Sequence, residues 1–144
     1  MLQNIFDIYR CVTAGNSTFT LLNTDKDSRI TLKFKRTRKN RDNINEPIFV
    51  SVLNGSDNNS DYQFIGTIFN NSDGFKYKHS PKTSIGSESI SAKSAKWMVN
   101  KINSGQNMPD NVEFYHSGNC AKCGRKLTTP ESIKNGLGPI CFNR

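Results

Sequence analysis

The chain has 144 residues, a formal net charge of +8, and 34% hydrophobic and 22% charged residues. This length suits one domain, or a compact body that carries a small extra module. No apolar run approaches the roughly twenty residues of a membrane-spanning helix, and the N-terminus MLQNIFDIYR lacks the regions of a secretion signal. We therefore expect no membrane partner, and cysteines that hold metal rather than form disulfides.

The first forty residues predict a short helix followed by a β-hairpin. Apolar residues recur with helical spacing over 2–13, and Gly15 stands where a helix C-cap belongs. Cys11 lies on this helix and is expected to be a small buried side chain. Strand-forming residues then flank the polar turn Asn23–Ser28, and their alternation places Ile30, Leu32 and Phe34 on one face, with Thr31, Lys33 and Lys35 on the other.

A dense run of positive charge begins on the solvent face of this second strand and continues into the following loop. Six cations fall in nine residues with no acid among them: Lys33, Lys35, Arg36, Arg38, Lys39 and Arg41. Such a cluster attracts polyphosphate partners such as nucleic acid. The alternative is a solvated face that only keeps the protein dissolved.

Further strands are predicted at 48–53, 62–69 and 75–79, separated by turns rich in Asn, Asp, Ser and Gly. A helix is predicted over 91–103, with a serine cap before it and Gly105 after it, and a short strand over 112–115. The body is therefore expected to be α+β, with an antiparallel sheet, an N-terminal helix and one helix packed across the sheet. Most of its aromatic residues should lie in the core, although one or two on the strands could stack nucleic-acid bases: Phe34, Phe64, Phe69, Phe75 and Tyr77.

The last thirty residues contain the pattern H-x3-C-x2-C-x17-C, formed by His116, Cys120, Cys123 and Cys141. Gly124 after the second cysteine permits the tight turn whose N–H groups point at thiolate sulfurs. The segment has too few apolar residues for its own core, so a structural zinc ion is predicted to hold it together. A short helix that ends at Gly136 is also predicted here.

Three cysteines leave the fourth zinc ligand open. His116 is the preferred candidate, while His79, Cys11 and water are the alternatives; water would make the site potentially catalytic. A redox C-x-x-C pair is disfavoured because no βαβ unit precedes Cys120. A deaminase is also disfavoured because neither histidine has a glutamate two residues after it, as the H-x-E pattern of zinc deaminases requires.

A second group of cations surrounds these metal ligands, and Glu131 is the acid that accompanies them. The group consists of Lys122, Arg125, Lys126, Lys134 and Arg144. We expect Lys122, Arg125 and Lys126, together with the first cluster, to contact nucleic acid.

The segment HSGNCAKCGRKLTTPESIKNGLGPIC, residues 116–141, resembles the C-terminal zinc-finger-like domain of unknown function that occurs in many bacteriophage and prophage proteins. CGRKLT, PES and GLGPIC occur in the order of that family. The resemblance implies a phage protein that acts in the host bacterial cytoplasm and brings no catalytic residues. It also implies that Cys120, Cys123 and Cys141 are metal ligands, with His116 compatible as the fourth.

These observations predict a body at 1–115 and a treble-clef-like zinc module at 116–144. The preferred hypothesis is a non-enzymatic, zinc-binding phage accessory protein that binds nucleic acid through its basic clusters. The alternative is a protein-binding factor that docks on a host enzyme or defence complex and inhibits it. A hydrolytic enzyme is the third and least favoured hypothesis, because free histidines and paired carboxylates are scarce.

Overall fold

The structure, a computed structural model, describes residues 2, 4–41, 43–55, 60–128, 133–134 and 136–138. In chain order the elements are α1 (Ile5–Val12), β1 (Asn16–Asn23), β2 (Ser28–Lys35), a 3-10 turn (Arg38–Asn40), β3 (Ile48–Leu53), β4 (Tyr62–Asn71), β5 (Gly74–His79), α2 (Ile90–Ser104) and β6 (Val112–His116). The strands form one curled antiparallel sheet in the order β5-β4-β3-β2-β1-β6. The predicted α+β class with an antiparallel sheet is confirmed. The predicted short helix before Gly136 lies largely outside the described residues, and so does much of the zinc module.

Helix α1 begins later than the spacing of apolar residues predicts. Asn4 is extended, and its side chain accepts a hydrogen bond from the Phe6 N–H at 2.8 Å, which caps the helix at Ile5. Leu2 does not belong to the helix and instead forms an isolated antiparallel bridge with Phe114. Cys11 is fully buried, as expected.

The β1–β2 hairpin confirms the predicted turn and alternation. The register runs from Asn16 opposite Lys35 to Asn23 opposite Ser28. Leu32 and Phe34 are fully buried, whereas Lys35 on the other face is exposed. One face of the sheet therefore carries the core, and we call the opposite face, which neither α1 nor α2 covers, the open face.

The curl of the sheet has a local cause between β3 and β4. Val50 pairs with Gly66 but Ser51 pairs with Phe64, so Ile65 is an extra residue in β4. A bulge of this kind bends its strand and increases the local twist.

Helix α2 matches its predicted range closely and packs mainly against the edge strand β5. The Ser89 side chain accepts from the Ala92 N–H at 3.2 Å, and Gly105 ends the helix at a φ of 69°. Asn103 near the helix end bonds both backbone groups of Phe75, accepting from its N–H at 2.9 Å and donating to its carbonyl at 2.7 Å. Neither α2 nor any other described helix is long and apolar enough to cross a membrane.

The core lies between the two helices and the inner face of the sheet. Its centre contains the fully buried aromatic side chains Phe19, Phe34 and Phe114. The Phe19 and Phe114 rings are 4.5 Å apart between centroids. This packing ties the hairpin to β6, the strand that leads into the cysteine-rich segment.

Arg36 is buried, with 1% of its surface exposed, so the expectation that it lies in solvent is wrong. Its guanidinium donates to the Glu46 carbonyl at 3.2 Å, to the Arg41 carbonyl at 3.4 Å and to the Thr13 carbonyl. Burial lowers the pKa of Arg36. The cause is the alternation itself, because position 36 continues the inward series of Leu32 and Phe34.

We predict that Arg36→Met lowers the free energy of unfolding by about 2–3 kcal/mol, because three part-buried carbonyls, at the end of α1 and in the loop between β2 and β3, lose their donor. Urea denaturation followed by circular dichroism measures the change. The matched control is Lys35→Met, which removes one charge from the exposed neighbour and should change stability by less than about 0.5 kcal/mol. Equal stability of the two variants would contradict the structural role given to Arg36.

Candidate functional site

The Cys120–Cys123 segment forms the tight turn that its sequence predicts. The Cys120 N–H donates to the Arg125 carbonyl at 2.7 Å, and the Gly124 N–H donates to the Cys120 carbonyl at 2.9 Å. Gly124 has a φ of +80°, a conformation that favours glycine. Cys120 is buried and Cys123 is exposed, so the pair opens to solvent on one side.

The surroundings of Cys120 favour a thiolate. Burial raises the pKa of its thiol, but the backbone N–H groups of Cys123, Gly138 and Lys122 and the Cys123 thiol outweigh burial, and the pKa falls to about 7. One of these contacts is the Gly138 N–H at 3.3 Å from Sγ. Thiolates that accept backbone N–H groups are suited to bind zinc.

His116 is not presented to the cysteines as a free ligand. Its Nδ1 accepts a hydrogen bond from the Gly118 N–H at 2.9 Å, and its Nε2 bonds the Ile133 carbonyl. Both ring nitrogens are therefore engaged, and one bond must break before His116 can coordinate a metal. The assignment of His116 as the fourth ligand stays a prediction.

The described residues fit a zinc site only in part. Cys120 and Cys123 supply two adjacent thiols, while Cys141 lies outside the described residues. Among the residues that are described, no three His, Cys, Asp or Glu side chains converge on a point that could hold a metal. The donor types and the turn geometry suit zinc, and completion of the site depends on Cys141 and a fourth ligand.

The two long-range alternatives for that ligand occupy different places. Cys11 approaches Gly136 so closely that a Cβ at that glycine would lie 2.8 Å from Sγ. Burial, with smaller contributions from Asp7 and Cys120, raises the pKa of Cys11 to about 12. His79 is on β5, at the opposite edge of the sheet from β6, where its ring nitrogens bond the Tyr77 hydroxyl at 2.9 Å and the Ile85 carbonyl at 2.7 Å.

The cysteine-rich segment is joined to the sheet by hydrogen bonds and by shared core. The Asn16 N–H donates to the Ala121 carbonyl at 2.8 Å, and the Ala121 N–H donates to the Gly136 carbonyl at 2.9 Å. Leu127 and Leu137 are buried within the main hydrophobic core. The segment is thus placed beside the start of β1, and its proposed division from the body at 115/116 stays a prediction.

The open face of the sheet presents large aromatic side chains to solvent. Phe49, Phe64 and Phe69 are 40%, 41% and 37% exposed. Phe49 and Phe64 lie on adjacent strands with their ring centroids 6.2 Å apart in an edge-to-face arrangement. Exposed rings arranged on neighbouring strands of a sheet can stack bases of a single strand.

Positive charge surrounds these rings. The cations on the open face are Arg29, Lys33, Lys35, Lys76 and Lys78. Glu113 on β6 is the acidic residue that lies on this face within the described strands. Its carboxylate accepts a hydrogen bond from the Tyr115 hydroxyl at 3.0 Å. The ion pair found in the described part of the chain, Lys93–Glu88 at 3.5 Å, lies on α2 and the loop before it, so the open face keeps an excess of positive charge.

Lys33 stands out among these cations because it is half-buried. Its Nζ lies 4.8 Å from the centroid of the Tyr62 ring. Burial, and secondarily the neighbouring Lys35, lowers the pKa of Lys33. An anion bound near Lys33 would relieve this loss of solvation.

The first predicted basic cluster is divided by the fold. Lys33 and Lys35 lie on the open face, Arg36 lies in the interior, and Lys39 is exposed on the following loop. Arg41 is half-buried, and of Arg38 only the backbone is described. In the second predicted cluster, Arg125 and Lys126 are exposed and Lys122 is half-buried.

Sequence reasoning missed several residues of the open face. The predicted contacts did not include Lys76, Lys78 or Phe49. Each of them is adjacent in its strand to core-facing residues, so alternation places it on the open face. Conversely, Phe34 is fully buried, and Phe75 and Tyr77 pack against the core. Alternation read together with strand pairing would have separated the two sets of rings.

Comparison with known proteins gives one match. The C-terminal residues 110–144 match a family of unknown function (DUF6011). No curated protein and no solved structure matches the chain. The matched range contains β6 and the cysteine-rich segment, so this end of the chain is similar to a domain whose function is not described.

We predict that the four cysteines differ widely in reactivity. After zinc chelation at pH 8, iodoacetamide should modify exposed Cys123 first and Cys11 last, because a thiol with a pKa near 12 is almost entirely protonated at that pH. Peptide mass spectrometry over time measures the order. Denatured protein is the control, since all four rates should then be similar; modification of Cys11 in the folded protein as fast as Cys123 would contradict the structure.

Proposed function

We propose that this chain is a non-enzymatic protein that binds single-stranded nucleic acid on the open face of its sheet and uses zinc to hold its C-terminal segment. The observation that carries the proposal is the open face itself, where exposed Phe49, Phe64 and Phe69 lie among cations that form no ion pair with a described residue. Rings and cations on one surface provide the two contacts that single strands need: base stacking and phosphate neutralisation.

The geometry favours single strands over duplexes. Bases within a duplex are stacked on each other and cannot reach Phe49 or Phe64, whereas unpaired bases can. No described helix projects from the open face to enter a major groove. We therefore expect weak sequence preference, with most hydrogen bonds made to the backbone.

Zinc has a structural role in this proposal. When bound, it would cross-link the Cys120–Cys123 turn to Cys141 and thereby close the C-terminal segment on itself. The turn geometry around Cys120 and its thiolate-favouring surroundings support this role. Arg125 and Lys126, both exposed on this segment, would then extend the positive surface beside β1.

The proposal places the protein in a bacteriophage or prophage, acting in the host cytoplasm, because residues 116–141 resemble a domain of such proteins.

A non-enzymatic role is supported by the two histidines. His79 and His116 each have both ring nitrogens engaged by neighbouring groups, so neither is positioned as a general base.

A protein partner is the second candidate function, and the same rings favour it. Exposed aromatic patches also mark protein interaction sites, and the positive charge of the open face suits an acidic partner. Such a partner would be a host enzyme or defence complex. Pull-down from infected cells with and without nuclease separates the two: recovered nucleic acid supports the first function, and a stoichiometric host protein that survives nuclease supports the second.

We predict one zinc ion per chain and its loss in Cys123→Ser. Structural zinc contributes on the order of 10 kcal/mol to the folding of a small module, so the C-terminal segment should unfold while the sheet remains. Elemental analysis measures the zinc, and trypsin cleavage after Arg125 or Lys126 reports unfolding of the segment.

Cys11→Ala is the matched comparison, because it also removes a thiol: retained zinc excludes Cys11 as the fourth ligand, and lost zinc assigns that position to Cys11. His116→Gln tests the fourth ligand: reduced zinc affinity supports coordination by His116, and unchanged affinity assigns the position to another group. A Cys123→Ser protein with stoichiometric zinc and a protease-resistant C-terminal segment would contradict the zinc site.

We predict that Phe64→Leu weakens binding of a single-stranded oligonucleotide by about 1–3 kcal/mol, because it removes a stacking ring but keeps an apolar side chain. Fluorescence anisotropy with labelled single-stranded and duplex DNA and RNA measures the affinity. Wild-type affinity should fall with salt at a log–log slope of about −0.7 for each phosphate neutralised on a single strand.

Phe6→Leu is the matched control, since Phe6 is a more exposed ring on α1, away from the open face. Its affinity should equal that of the wild type. Two outcomes would refute the proposal: no binding of any single strand at low salt, or equal losses in the two variants. Charge reversal at Arg36 is unsuitable as a test, because that side chain is buried.

A further inference from the structure

A pocket of about 630 Å³ lies where the open face meets the C-terminal segment. Its floor consists of side chains from β1 and β2. Tyr62 and Leu53 line it on the β4 and β3 side, and Ser117, Asn119 and Gly124 line it on the side of the C-terminal segment. The pocket is therefore built from both parts of the chain.

The floor of the pocket is rich in groups that donate and accept hydrogen bonds. Thr18, Thr20 and Thr31 all contribute to the lining. The hydroxyls of Thr20 and Thr31 lie 2.8 Å apart and bond each other, which leaves each with further capacity for a ligand. Asn119 adds an amide from the opposite wall. Together these groups could bond both the donors and the acceptors of a base or sugar edge.

The charge of the pocket favours an anion. Lys33 and Arg29 line it, and none of its described lining residues is acidic. Neither cation forms an ion pair with a described residue. The Tyr62 ring, 4.8 Å from Lys33 Nζ, fixes the position of the ammonium group by a cation–π contact.

We propose that this pocket binds one nucleotide unit of the strand held on the open face, with its phosphate at Lys33 and Arg29 and its base or sugar at the threonine hydroxyls and Asn119. The inference rests on the proposed function and adds to it a defined subsite, shared by the sheet and the C-terminal segment. A phosphate alone would use only the cations, and a nucleoside alone only the polar groups. A nucleoside monophosphate should therefore bind more tightly than either component.

The test uses full-length protein and the four ribonucleoside 5′-monophosphates, with inorganic phosphate and the uncharged nucleosides as component probes. Titration followed by ¹H–¹⁵N NMR measures affinity and location together. We expect saturable binding of at least one monophosphate, with the largest shifts at the amides of Thr18, Thr20 and Asn119. Lys33→Met should weaken it at least about tenfold, since a charge-assisted contact is lost.

Lys35→Met is the matched control, because Lys35 lies on the same strand and face but does not line the pocket. It should weaken oligonucleotide binding while leaving monophosphate binding unchanged. Equal losses of monophosphate binding in the two variants, shifts located elsewhere, or no saturable binding would overturn the subsite. The monophosphate should also displace a labelled oligonucleotide, and failure to do so would show that the pocket takes a free nucleotide rather than a unit of the strand.

The oligonucleotide measurement separates the two proposals. Oligonucleotide binding without monophosphate binding would remove the subsite and leave the proposed function intact. Monophosphate binding at the pocket without oligonucleotide binding would refute the proposed function and leave a pocket for a free nucleotide.

Discussion

The buried guanidinium of Arg36 is the constraint on which the arrangement of this protein depends. A buried cation is costly unless hydrogen bonds compensate it. Here Nε and Nη1 donate to the carbonyls of Thr13, Arg41 and Glu46, whereas the buried Nη2 has no partner among the described groups. These carbonyls belong to the end of α1 and to the loop between β2 and β3, so the charge holds both beside the start of β1. The cysteine-rich segment attaches at that same start, through Asn16. The hydrogen bonds that partly compensate the buried charge and the attachment of the C-terminal segment therefore meet at the start of β1.

Most secondary structure was predictable because its causes are local. Alternating apolar residues, turn residues and helix caps located the strands and α2 within a few residues. The start of α1 was not predictable in this way. Leu2 fits a helical spacing, but it pairs instead with Phe114, which is distant in sequence. Arg36 was misplaced for a different reason: its chemical type argued for solvent, while the period of its strand argued for the core, and the period was right.

The candidate sites show the same division between local and distant causes. The tight turn at Cys120 and Cys123 follows from spacing alone, and the structure contains it. The fourth zinc ligand does not follow, because it requires knowing which groups His116 already bonds. The open face needed strand order as well as alternation, since Phe49 and Phe64 become neighbours only when β3 and β4 pair. A pocket that joins β1 to the C-terminal segment could not be read from either segment separately.

The two hydrogen bonds between Asn103 and Phe75 have a consequence for the behaviour of the protein at high concentration. Outward-facing backbone groups of an edge strand are templates on which another chain can polymerise. On β5 the Asn103 amide occupies both groups of Phe75, so an incoming strand would first have to displace α2 from that edge. A side chain on a helix thus blocks addition of another strand at Phe75, and it adds to the protection that the charges of Lys76 and Lys78 give the same edge.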